Sequence, residues 1–373
     1  MIENKLPAYK KEKCTFFALG RNAMYAACNA LGLKKGDEIL TPAFDCDGSL
    51  QPFRVLEYKP IFFRSDPRTF SADLEDIKKK ITPKTKLLHI INHFGMPQPW
   101  NDILSLQREV NIPIMEDNAY SLFSSLDGKP FGTFGDAAIF SLRKNLPLAD
   151  GGMLRINNPR YKFTEDSKKS KFIYKEDLES LAVVIKNRVG LSTVFRSLRQ
   201  GPPPPLYSNG NLEYPVWAGR DHIGKEFSCN YTRSMSRFSR QALDTFLHND
   251  YEAMIEKKRK FYSILSKGLK GIRGIEVLWP ELPEGIVPFS LSFLVSNHRD
   301  AFFDFLRKKY DVMAWPTLSA LVLEQLKDFP DVELLGRRLL QLNLPSDKVK
   351  KTNFPQYIEN VVEDIHKLAQ KYI

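Results

Sequence analysis

Three stretches of this 373-residue chain hold residue types that could do chemistry together. Leu19-Gly20-Arg21-Asn22-Ala23 opens the first clear helical pattern. A glycine and a polar residue at a helix N-terminus offer free N–H groups and the positive dipole end to a phosphate, although a plain helix start reads the same way. Glu116-Asp117 follows the run Ile112-Pro-Ile-Met115. A carboxylate at the carboxyl end of a strand can pair with a protonated ring nitrogen, where the simpler reading is a cap or turn aspartate. Phe140-Ser141-Leu142-Arg143-Lys144-Asn145 runs ahead of Asp150-Gly151-Gly152. It reads as a strand ending in a serine, then a lysine, then a glycine pair; a desolvated lysine there can form a Schiff base, and alone it is an ordinary turn lysine. In chain order the three supply a phosphate seat, a pyridinium partner and an aldehyde-binding amine. That is the set pyridoxal phosphate requires.

Other chemistries find less support. The six histidines form no HExxH or Cys/His cluster. His89 and His93 stand four apart on an expected strand, which separates them and favours structural roles. There is no GxSxG elbow and no Walker A loop. Cys14, Cys28, Cys46 and Cys229 are scattered without a CxxC, so reduced thiols are expected. The polar start Met1–Lys13 resembles no leader, and the longest nearly apolar run, Ile286–Val295, is too short to span a bilayer. Together these place the protein in the cytoplasm. The 55 basic and 44 acidic residues leave a net charge of +11, which favours anionic partners. The basic blocks are short and dispersed without a nucleic-acid-binding motif, so small anions are expected and nucleic acid is not.

The elements that must position these residues follow from the patterning. With 43% hydrophobic and 27% charged residues the chain has a large core. Up to residue 156, short apolar runs alternate with amphipathic stretches, the pattern of β-α units on a mostly parallel sheet. Strands are expected at Glu38–Thr41, Ile61–Arg64, Leu87–Asn92, Pro113–Glu116, Ala137–Phe140 and Met153–Ile156. Helices are expected at Asn22–Leu33, Ala72–Ile81 and Trp100–Val110. From 157 to 227 this rhythm stops: a helical stretch at 175–199 is followed by Gly201 and four prolines, which make a stiff connector. A long helix over Met235–Leu269 leads to an α+β remainder. Its strands are expected near Ile275–Leu278, Ser290–Val295 and Val312–Trp315, with a helix at Arg299–Lys309 and helices to Ile373. The resulting division is a large α/β domain, 1–250, with an inserted arm at 157–227, and a smaller α+β domain, 251–373.

Several segments, taken in order, resemble the DegT/StrS-type aminotransferases. They are Gly20–Ala23 with Ala30–Ala43, Phe94-Gly-Met-Pro97, Glu116-Asp-Asn-Ala119, Gly135–Ser141 and Asp150-Gly-Gly152. Asn230-Tyr231 before a long helix and Leu344-Pro345 extend the likeness. The resemblance implies a fold-type I pyridoxal-phosphate enzyme and a homodimer with shared active sites. It would make Lys144 the catalytic, cofactor-bearing lysine and Asp117 the pyridinium partner, with Tyr120 near the ring hydroxyl. Ser141 and the backbone of Gly20, Arg21 and Asn22 would hold the phosphate, joined by Asn230 from the second chain. Four positions depart from the family pattern. Tyr120 replaces a usual Gln or His, and Cys46 replaces a stacking aromatic for which Phe44 or another ring would substitute. Only two residues separate Ser141 from Lys144, and Asn230 is followed by Tyr-Thr-Arg.

The implied reaction moves an amino group from an amino-acid donor to an anionic, nucleotide-linked keto sugar, as in surface-polysaccharide or related biosynthesis. An alternative keeps the cofactor for a non-sugar substrate or a dehydration. Another is a binding or regulatory protein on a decayed scaffold of this type. No metal is expected. The apolar, basic stretch 175–199 reads as packing on the protein's own core or its dimer partner, and secondarily as a membrane-surface helix.

Overall fold

The computed structural model describes residues 6, 8–10, 12–163, 230–249, 251–314, 318–344 and 354–373. The six strands expected up to residue 156, joined by one more, form one sheet with strand order β1-β9-β8-β5-β4-β2-β3. In chain order these are β1 (Cys14–Phe17), β2 (Glu38–Pro42), β3 (Lys59–Phe63), β4 (Thr85–Ile91) and β5 (Ile114–Asn118). A small hairpin, β6 (Ser125–Leu126) and β7 (Lys129–Pro130), precedes β8 (Ala137–Phe140) and β9 (Gly152–Ile156). The pairings β3–β2, β2–β4, β4–β5 and β5–β8 are parallel, and β9 runs antiparallel between β8 and β1. Strands covered on both faces leave water along their whole length, and β2, β5 and β8 are buried at every position, including the polar end of β5.

Helices cover both faces. On one, α1 (Gly20–Ala30) and α2 (Asp47–Val55) bring Met24, Leu50 and Phe53 against Leu87, Met115 and Ile139 of the sheet. On another, Trp100, Ile103 and Leu106 of α4 (Trp100–Val110) pack on Leu88, Ile90 and Ile114, with α3 (Leu74–Lys80) alongside through Ile77. Each such side chain contributes roughly 1.5–3 kcal/mol by leaving water.

Residues 275–343 add a four-stranded antiparallel sheet, ordered β10 (Ile275–Val277), β11 (Ser290–Val295), β13 (Leu339–Asn343) and β12 (Val312–Met313). Strand β13 lies where only helices are expected. Its Leu339-Leu-Gln-Leu-Asn343 follows the helix Pro330–Arg338 without a turn residue, so a helical period continues into it on paper. Strand β1 and helix α2 also escape the periodicity, the first because it has four residues and the second because Gly48 and Pro52 interrupt it. The expected long helix is described as helical over Arg237–Asn249 and Tyr251–Leu269. The expected helix at 175–199 and the proline run lie outside the described residues.

The two described ends that flank residues 164–229 meet β1. Phe163 packs edge-on against Phe17 with ring centroids 5.5 Å apart. Ser234 forms a bridge with Phe17, and the Ala18 N–H donates to the Arg233 carbonyl at 2.9 Å.

Candidate active site

Ligands of parallel sheets bind beyond the carboxyl ends of the strands. Here the segments leaving β2, β4, β5 and β8 converge on a cavity of about 190 Å³. Its walls include Gly20, Arg21, Asp45, Cys46, His93, Asp117, Tyr120, Ser141, Arg143 and Lys144. A larger, open groove of about 750 Å³ between the helices Tyr251–Leu269 and Phe354–Tyr372 shares no residue with those strand ends.

Lys144 belongs to a single helical turn, α5 (Leu142–Asn145), directly after β8. Leu142 is fully buried and anchors the turn, while the Asn145 amide donates to the carbonyls of Ala119 and Ser141, both at 2.9 Å. Lys144 is densely surrounded by protein yet open to the cavity, and its Nζ lies 4.1 Å from the centroid of the Tyr120 ring. Burial opposes its charge, but Tyr120, Cys46 and Asp117 outweigh that and hold the ammonium above the usual lysine range.

Alternation along β5 separates the two neighbouring carboxylates. Glu116 is fully buried and accepts hydrogen bonds from the N–H groups of Gly132 at 2.6 Å and Phe134 at 3.0 Å, and from the Asn92 amide at 3.1 Å. It clamps the loop before β8, and burial raises its pKa. Asp117 faces the cavity instead. One oxygen accepts from the Ala119 N–H at 2.8 Å and the other lies 3.4 Å from His89 Nε2. The far nitrogen of His89 sits 2.9 Å from the Thr41 hydroxyl.

At the opposite wall, Leu19 gives α1 no side-chain cap, which leaves the N–H groups of Gly20 and Arg21 open, while that of Asn22 donates to the Leu19 carbonyl at 3.1 Å. Two close approaches place this turn. A Cβ on Gly152 would fall 2.2 Å from the Leu19 carbonyl oxygen, and a Cβ on Gly20 would fall 3.2 Å from that of Ser141. Only glycine lets β9 pass so near the start of α1. The Ser141 hydroxyl has no hydrogen-bond partner among the described residues, which leaves it available to the cavity.

Six of the eight expected site residues thus border one cavity: Gly20, Arg21, Asp117, Tyr120, Ser141 and Lys144. Asn22 and Asn230 do not. They are joined to each other, the Asn22 amide donating to the Asn230 carbonyl at 2.7 Å within the same chain. Asn230 is exposed, and its side-chain oxygen accepts from the N–H of Thr232 at 3.2 Å and the hydroxyl at 3.0 Å. Phe44 does not face the cavity either. It is buried among Phe70, His93 and Phe94, and the aromatic rings on the cavity wall are His93 and Tyr120.

Asp45, His93 and Arg143 also line the cavity, though nothing in their own spacing marks them. Burial lifts Asp45 to about 6 despite donors from Ser49 and the Cys46 N–H, and it pushes His93 down to about 4. His93 Nε2 lies 2.8 Å from the Phe44 carbonyl, and the far ring nitrogen has no hydrogen-bond partner among the described residues. The sharp return of the chain at His93–Gly95, with Phe94 at φ 56°, brings His93 back beside Asp117 rather than separating it from the site. The carboxyl-end rule, applied to β2 and β4 as well as to β5, would have found both Asp45 and His93.

Residues 2–167 match the model of the DegT/DnrJ/EryC1/StrS aminotransferase family. Over these residues the chain is similar to that family. Among curated relatives, it is 34% identical over 160 residues to a GDP-perosamine synthase of Escherichia coli O157:H7, covering 42% of this chain and 44% of that one. It is 26% identical over 284 residues to a GDP-perosamine synthase of Vibrio cholerae, covering 68% and 73%. The first of these matches therefore spans less than half of the relative's length. The fold matches the aminotransferase TlmJ from Streptoalloteichus hindustanus with a TM-score of 0.65 at 18% identity, covering 97% of this chain and 88% of that one. The likeness agrees with the expected fold, a large mostly parallel sheet followed by an α+β region. No helix among the described residues is long and apolar enough to cross a membrane. Among them, no group of three His, Cys, Asp or Glu could hold a metal ion.

Proposed function

We propose that this chain is a pyridoxal-phosphate-dependent aminotransferase acting on a keto sugar carried by a nucleotide, with an amino acid as donor. The observation that carries this reading is the convergence of Lys144, Asp117 and the Gly20–Ser141 wall on one cavity from three separate chain segments. The donor set fits the cofactor. Lys144 presents an amine, Asp117 a carboxylate engaged only loosely by His89, and Ser141 an unused hydroxyl beside the open first turn of α1. The names of the two relatives support a nucleotide-sugar acceptor.

When bound, pyridoxal phosphate supplies an aldehyde for the donor's amino group and a ring that draws electrons from the donor α-carbon. The chain's own residues do the rest. Lys144 Nζ would take the proton from the donor α-carbon and later give it back, as general base and then acid. Its site favours the ammonium form, which suits the second half of that transfer. Asp117 keeps the ring nitrogen protonated, and His89 behind it fixes the carboxylate's direction. Tyr120, whose ring centroid lies 4.1 Å from Lys144 Nζ, would help to orient the group. Ser141 and the N–H groups of α1 hold the phosphate.

The reading extends to a homodimer in which Asn230 of one subunit reaches the phosphate of the other. The exposure of Asn230 outside its own cavity supports this. It also extends to a large and a small domain meeting near residue 250, and to work in the cytoplasm, where thiols stay reduced. To test the core of it, the purified chain is loaded with pyridoxal phosphate, reduced with borohydride and peptide-mapped. The pyridoxyl group is expected on Lys144, and an adduct on another lysine would sink the assignment. Incubation with glutamate and a nucleotide-linked keto sugar should then yield the amino sugar.

A further inference from the structure

The cavity has more positive charge than its expected phosphate ligands explain. Arg21 and Arg143 both line it. Arg21 sits in the first turn of α1, and Arg143 lies in α5 between Ser141 and Lys144. Those two turns are pressed together, since Gly20 has room for little beyond a hydrogen against Ser141. The buried Leu142 holds α5 so that Arg143 and Lys144 both face outward into the cavity.

Neither guanidinium has a carboxylate within ion-pair distance among the described residues. Arg21 donates to the neutral side-chain oxygen of Gln51, and the Arg143 side chain has no hydrogen bond there. Nearby acids are taken elsewhere. Asp47 accepts both guanidinium nitrogens of Arg54, at 2.8 and 3.0 Å. Asp150 lies 3.5 Å from Arg233 and accepts the Ser236 hydroxyl at 2.9 Å. Two like charges sharing a concave site repel each other unless an anion lies between them. Burial and the neighbouring charge of Arg21 hold Arg143 below the usual arginine range, an effect that the charge of Asp150 offsets only in part.

We propose that Arg143, together with Arg21, clamps a phosphate group in this cavity. This rests on the cofactor reading above and adds paired charge to a seat otherwise made of neutral donors. Guanidinium groups suit the task because their planar forks match phosphate oxygens two at a time. The cofactor's phosphate and the diphosphate of a nucleotide-linked substrate share this chemistry.

The two sources separate by binding measurements on the full chain and its Arg143→Gln and Arg143→Lys variants. The probes are pyridoxal phosphate, pyridoxal (the same ring and aldehyde without the phosphate), and GDP. The Gln variant should bind pyridoxal phosphate about tenfold to a hundredfold more weakly, as expected for a lost charged hydrogen bond, and bind pyridoxal as before. The salt dependence of its pyridoxal phosphate affinity should flatten. The Lys variant should recover part of the loss. A fall for GDP alone would keep the clamp and assign it to the substrate's phosphate. Equal losses for pyridoxal phosphate and pyridoxal, or no change for both pyridoxal phosphate and GDP, would overturn the inference. Unchanged pyridoxal binding also shows that the variant folds. A wild-type chain that binds neither cofactor form defeats the functional reading itself, an outcome distinct from a variant that binds normally.

Discussion

Glu116 and Asp117 are adjacent carboxylates with separate fates, and the pleat of β5 decides which is which. Glu116 is held by backbone N–H groups and an amide on one face, whereas Asp117 meets the cavity on the other. The two should therefore fail differently when neutralised. Asp117→Asn is expected to leave the melting temperature nearly unchanged and to cut turnover by about 10²-fold or more, because an amide cannot stabilise a charged ring nitrogen. Glu116→Gln is expected to lower stability by roughly 1–3 kcal/mol, because an NH2 group then faces buried donors. In its folded fraction it should keep most of its turnover. Steady-state kinetics beside thermal unfolding reads both, and a reversed pattern would exchange the two roles.

Strand β9 and helix α1 meet at a point with no spare volume, where the Leu19 carbonyl, the Gly20 nitrogen and Gly152 crowd together. Gly152→Ala must move backbone on one side or the other. It should cost about 1–3 kcal/mol by overpacking and weaken pyridoxal phosphate more than pyridoxal. An unchanged ratio of the two affinities would show that this contact does not position the phosphate wall. The glycine pair is visible in the sequence, but the reason for it is not, because β9 reaches α1 only across the sheet. The same divide runs through the site. Asp117, Ser141 and Lys144 stand out because each follows an apolar run at a strand end. Asp45 and His93 follow strands in the same way but sit in stretches that read as loop, and only the return of the chain at Phe94 brings His93 inward. Strand β13 was hidden for a related reason: its apolar residues fit a helical period as well as a buried strand.

At the scale of the whole molecule, the net charge of +11 favours anionic ligands, and Arg21, Arg143 and Lys144 bring that preference to the cavity. The anchoring of Phe163 and Ser234 on the same residue, Phe17, has a topological meaning. The described chain ends at and resumes from one place, so the sheet is expected to stand without residues 164–229. A Gly/Ser linker of about eight residues has a reach of roughly 15 Å, enough to join neighbouring anchor points. Shortening the loop about eightfold lowers its closure entropy cost by roughly 2 kcal/mol. The excised chain should therefore unfold cooperatively near the wild-type temperature and still bind pyridoxal phosphate. A large fall in melting temperature on excision would mean that the insertion completes the core instead of hanging from it. The gene could then tolerate many different inserts at this one doorway, each changing what the protein meets while leaving the strand ends where they are.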